Sequence, residues 1–65
     1  MAERFVARDT KSGEYLAEKF MKGFYFTTDI SQAIKGKTKE EVEAKIEKQS
    51  QRPASVFVVD SVNFS

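Results

Sequence analysis

Sixty-five residues with eleven basic and ten acidic side chains, and with neither cysteine nor histidine, exclude a disulfide scaffold and a zinc site built on thiolate or imidazole. The formal charge of +1 argues against a protein that holds a polyanion by charge alone. A chain this short makes one domain, 1–65, near the lower limit for independent folding, where roughly 60% of the extended surface is buried and oligomerisation is a common source of extra stability.

In chain order, ERFVARD (3–9) reads as a strand, and DTKSGEY supplies turn chemistry with Gly13 suited to a left-handed position. YLAEKFM (15–21) is a second strand, Lys22-Gly23 a tight two-residue turn, and FYFTT (24–28) a third strand, which makes an antiparallel meander. At Asp29 the pattern changes: DISQAI suggests an N-cap and one or two helical turns stopped by Gly36. Thr38 and Glu41 form a capping box for a helix running to about residue 51, with Glu41 and Lys45 as an i,i+4 pair and Val42 and Ile46 as a narrow apolar stripe. Arg52-Pro53 ends it, and SVFVVDSV (55–62) is the strongest strand in the chain. The predicted fold is α+β: a three-stranded antiparallel meander, a short helix, one longer amphipathic helix packed on one sheet face, and a fourth C-terminal strand, βββααβ. The fourth strand is expected beside the first, order 4-1-2-3, and parallel to it through a right-handed crossover. That placement leaves VFVV on a sheet edge, where copies of the chain can meet.

Alternation along the strands sorts the side chains. A two-residue loop at Lys22-Gly23 pairs Met21 with Phe24 and puts Ala17, Met21, Phe24 and Phe26 on one face, with Leu16, Phe20 and Tyr25 on the other. The first hairpin adds Phe5 and Ala7 to the first face and Val6 and Arg8 to the second; a one-residue change in its loop exchanges Phe5 and Val6. One helix covers only one face of a small sheet, so the second face is expected to be open and to meet a partner, first of all a second copy of the chain. Its contact residues would be Leu16, Phe20 and Tyr25, with Val6 and Arg8 at the rim.

KGFYF (22–26) resembles the ribonucleoprotein-1 signature of RNA-recognition motifs and the KGFGF strand of cold-shock domains, matching at Lys22, Gly23, Phe24 and Phe26. The resemblance implies single-stranded nucleic-acid binding, the alternative to protein binding, in which Lys22, Phe24 and Phe26 would act together with Lys19. Stacking needs both phenylalanines on an open face, and the alternation turns them toward the helix. Gly36-Lys37-Thr38 echoes the end of a phosphate-binding loop, but Ser31 stands where that loop requires glycine. Glu40, Glu41, Glu43 and Glu47 fan over a helix face interleaved with lysines, which is the pattern of a solvated surface. No nucleophile–base spacing is present, so no enzyme, catalytic residue, metal, cofactor or small-molecule substrate is expected. No apolar run has the length of a signal peptide or a membrane span, so the expected setting is cytoplasmic, without a membrane partner.

Asp9, Lys11, Ser12, Gly13, Tyr15 and Leu16, followed by Asp29, Ile30 and Ala33 and then by Lys37, Thr38, Lys39, Glu41 and Val42, reproduce a pattern over residues 4–46. In it a D-x-K-[ST]-G-x-Y-L hairpin leads to an aromatic strand and two capped helices. The pattern resembles small phage- and prophage-encoded proteins of Gram-positive bacteria. The resemblance implies origin rather than activity and assigns no functional residue. The expected function is that of a small non-enzymatic protein-interaction domain, self-associating as a homodimer.

Overall fold

The computed structural model describes residues 2–21 and 23–64. Four strands, β1 (Ala2–Asp9), β2 (Tyr15–Glu18), β3 (Phe24–Thr27) and β4 (Phe57–Phe64), form one antiparallel sheet in the order β3-β2-β1-β4, with one α-helix, α1 (Lys39–Lys48). The fold is α+β, and the order of neighbours is the expected one. Two features differ from the βββααβ expectation. The segment after β3 makes only a single 3-10 turn, Ile30–Gln32, and a second such turn, Ala54–Val56, precedes β4. And β4 runs antiparallel to β1 from Asp9↔Phe57 to Ala2↔Phe64, not parallel.

The two differences share a cause. A helix over 30–35 would have stayed beside β3, leaving α1 as the only return leg. Instead Asp29 caps the 3-10 turn by accepting from the Ser31 amide at 3.0 Å, and the chain then extends. It bonds to β2 through the Ile34 amide and the Leu16 carbonyl (3.0 Å), and to β1 through both groups of Gly36 and Phe5 (2.8 and 2.9 Å). Segment 29–37 is thus a return leg of its own. α1 is a second, and β4 starts at the end of the sheet where β1 finishes. Gly36 is not a helix stop. It sits in an antiparallel bridge with Phe5, where a Cβ would lie 2.7 Å from Val42 Cγ2.

α1 forms as its sequence dictates. Thr38 is extended, and its Oγ1 accepts from the Glu41 amide at 3.2 Å. Glu41 reaches one residue further back than a standard capping box, accepting from the Lys37 amide at 3.0 Å, so Lys45 pairs with Glu18 on β2 (3.3 Å) rather than with Glu41. Val42 and Ile46 are buried against Ala7, Leu16 and Phe57, with Phe5, Phe24, Phe26 and Val59 packed around them. The helix ends at Lys48, three residues short of expectation. Gln49 folds back there, its Nε2 donating to the carbonyls of Ile46 (3.1 Å) and Arg52 (2.7 Å) while its Oε1 accepts from the amides of Gln51 and Arg52. Among the described residues no helix is long and apolar enough to cross a membrane.

Candidate functional site

The β2–β3 register decides which residues are available for contact. The pairs are Leu16↔Phe26 and Glu18↔Phe24, not Met21 with Phe24. The loop closes from the Lys19 amide to the Gly23 carbonyl at 3.0 Å, and Gly23 has φ +100°. Two-residue hairpin turns need positive φ at both central positions or glycine at the first, and Lys-Gly supplies neither. The longer loop shifts the register by three residues, an odd number, which moves β2's side chains to the other face. Leu16 therefore enters the core at 0% exposure on the helix side. Ala17, expected there, pairs with Tyr25 on the opposite side.

The expected contact set is dispersed by this shift. Arg8, Val6 and Tyr25 do share the face away from α1, but Leu16 does not. Phe20 lies outside the strands altogether, in the loop, 98% exposed beside Met21 at 83%. Nor is that face bare. Tyr25 Oη donates to Gln32 Oε1 at 3.2 Å, and Val6, Ala17 and Ala33 are buried. Arg8 is occupied at 2.6 Å by Asp60, its neighbour on β4; that hydrogen bond and the carboxylate's charge raise its pKa above the ordinary arginine value.

Phe24 and Phe26 point toward α1, as alternation predicts, and Phe26 stacks on Phe57 with ring centroids 6.0 Å apart. The stacking face of the nucleic-acid alternative is thus turned inward. Lys19 is exposed in the loop, and Lys22 lies outside the described residues.

The densest polar cluster was not foreseen. Arg52 Nη1 donates to Asp9 Oδ2 at 2.6 Å, Nη2 to Glu14 Oε1 at 2.9 Å, and the guanidinium carbon lies 3.7 Å from the centre of the Phe26 ring. Burial by itself would raise the Asp9 carboxyl, but the Lys11 amide, Arg52 and the Ser12 amide outweigh it and hold the group below its ordinary value. Each charge faces its complement, so the cluster is a clasp closing the first hairpin onto the α1–β4 connection. Only Arg52-Pro53 marked it in the sequence, and there as a helix terminator. Among the described residues, no group of three or more Asp or Glu gathers as a metal site would require.

The sheet treats its two edges differently. β3 is four residues long. Its Lys19–Gly23 bond fixes the phase of the ladder, so the Phe24 carbonyl faces outward, and there it accepts from Gln51 Nε2 at 3.0 Å. β4 is twice as long, and among the described residues no strand pairs with its outer edge. The Thr10 amide bonds the Val56 carbonyl, so even-numbered residues of β4 face β1 while Phe57, Val59, Ser61 and Asn63 present their backbone groups outward. Natural edges are blunted with lysine, proline or a bulge. β4 has none of these: its register is unbroken, and its only charge, Asp60, is neutralised by Arg8. Between this edge and α1 runs an open groove of about 620 Å³, floored by Phe57 and Val59 and rimmed by Lys39, Glu43 and Glu47.

Comparison with known proteins finds no match: no family model fits the chain, and neither a curated protein nor a solved structure is similar to it.

Proposed function

We propose that this chain is a small non-enzymatic protein-interaction domain, an accessory protein of phage or prophage type working in the cytoplasm, whose first partner is its own copy. The observation that carries this reading is β4, an eight-residue edge strand with no blunting device beside an open groove. Strand addition at such an edge satisfies a row of backbone groups at once, while side chains in the groove supply selectivity. The contact belongs on this edge rather than on the face opposite α1, where Val6 and Ala17 are already buried within the chain.

Sedimentation across micromolar to millimolar concentration tests the reading. A mass above that of the monomer is expected, rising with concentration. A strict monomer throughout that range rejects it.

A further inference from the structure

We propose that two copies join through β4 about a two-fold axis perpendicular to the sheet, pairing β4 antiparallel with its twin into one continuous eight-stranded sheet. This rests on the self-association reading and adds to it the surface, the orientation and the residues that select it.

An antiparallel pairing of a strand with itself requires the outward backbone groups to fall on matching positions, and on β4 they fall on odd residues in both copies. With the axis at Val59 or Ser61, that residue exchanges both backbone hydrogen bonds with its twin. Either register sets Asp60 opposite a valine, Val58 or Val62, and keeps the two carboxylates apart. An axis at Val59 pairs residues 57–61 of the two strands and one at Ser61 pairs residues 58–64, with no bulge to displace either copy.

The helix charges favour this orientation over others. Lys39, Glu43 and Glu47 follow one another at four-residue spacing along the side of α1 that borders the groove. A two-fold operation presents the same series in reverse order on the same side of the sheet. With the axis level with Glu43, each Lys39 faces Glu47 of the other helix while the two Glu43 side chains face each other, two attractive pairs against one repulsive. Because α1 packs over β1 and β4, the two helices stand two to three strand spacings apart, about 10–14 Å, a gap that lysine and glutamate side chains span from both sides. The Phe20–Met21 loops lie by β3, at the two outer ends of the dimer, and take no part in the junction.

Hydrogen exchange read residue by residue, combined with sedimentation, tests the arrangement. The amides of Val58, Asp60 and Val62 bond within the monomer and should be protected at every concentration. Those of Val59, Ser61 and Asn63 should gain protection only as the dimer forms. Ser61→Pro removes an outward N–H without breaking an internal backbone bond and should yield a monomer. Ser61→Lys, which keeps the strand's backbone intact, should weaken the dimer if the proline variant fails to fold. Lys39→Glu should raise the dimer dissociation constant by about tenfold, and Phe20→Ser with Met21→Ser should leave it unchanged. A dimer whose Val59 and Ser61 amides exchange freely, or one lost in the loop variant and kept in Ser61→Lys, overturns the β4 junction while leaving self-association standing. A monomer at every concentration overturns both.

Discussion

The guanidinium carbon of Arg52 lies over the Phe26 ring, 3.7 Å from its centre, and Phe26 in turn stacks on Phe57 with 18° between the planes. The same guanidinium grips Asp9 and Glu14, so one side chain joins the first hairpin, the third strand and the start of the fourth. Arginine suits this position because a planar fork can bind two carboxylates while its face covers an aromatic ring; lysine has neither property. Arg52→Ala should lower the melting temperature by on the order of 5–10 °C. Arg52→Lys should recover only a minor part of the loss, although it keeps the charge. Thermal melts followed by circular dichroism decide the matter; a fully stable lysine variant would show that charge alone is at work.

The β2–β3 register predicts opposite fates for two residues four apart. Leu16 is fully buried against the helix and Phe20 stands in water. Leu16→Ala should therefore cost about 2–5 kcal/mol, enough to unfold much of a 65-residue domain, while Phe20→Ser stays within about 0.5 kcal/mol. Denaturant titrations of the two variants measure this. Comparable losses would mean that the two side chains share an environment, as a two-residue loop would require.

What could be read from the sequence was whatever depends on neighbours in the chain. Gly13 takes φ +76° beside Asp9 and Thr38 caps α1. Val42 and Ile46 face the core, and the phenylalanines of FYFT turn toward the helix, because turn chemistry, capping and period-two alternation act over a few residues. The β2–β3 register was lost because it hinges on loop length, and a three-residue error reverses every side chain beyond it. The direction of β4 was lost because segment 29–37 has no periodicity of its own; its course is set by bonds to Leu16 and Phe5, both distant in sequence. The candidate contact set inherited the register error at Leu16 and Phe20. Val6 and Arg8 were assigned to the correct face, but neither the cover over Val6 nor the Arg8–Asp60 pair could be foreseen.

Acid should destabilise this protein. Asp29 is held below 3.8 by the Ser31 hydroxyl and amide, and Asp9 is held below it by the Lys11 amide, Arg52 and the Ser12 amide acting against burial. Carboxyls whose folded values are depressed contribute stability that is complete above the unfolded value, and that is lost as pH falls through the folded one. The melting temperature should thus be level from neutral pH to about 5, and should fall as the pH drops below about 4. Asp9→Asn should lower it at neutral pH and flatten the acid limb. Melts between pH 2 and 7 give both slopes, and an Asp9→Asn profile parallel to that of the wild type would remove Asp9 from the account.

At Gly36 the return leg, β1 and α1 press together. Its backbone exchanges two hydrogen bonds with Phe5, and the space a side chain would need is taken by Val42 Cγ2 at 2.7 Å and by the Thr38 carbonyl at 3.2 Å. Val42 is fully buried and cannot swing away, and the Thr38 carbonyl belongs to the helix N-terminus. Gly36→Ala should therefore cost about 1–3 kcal/mol through overpacking, reversing the small gain that alanine usually brings by restricting the unfolded chain. Trimming the obstructing methyls with Val42→Ala should make the double variant less unstable than the sum of the two single changes, with a coupling of about 0.5–3 kcal/mol. Chemical denaturation of the four proteins in this cycle measures it directly. Additive losses would mean that the helix accommodates the extra methyl by shifting as a body, and that Gly36 is not what sets the distance between α1 and β1.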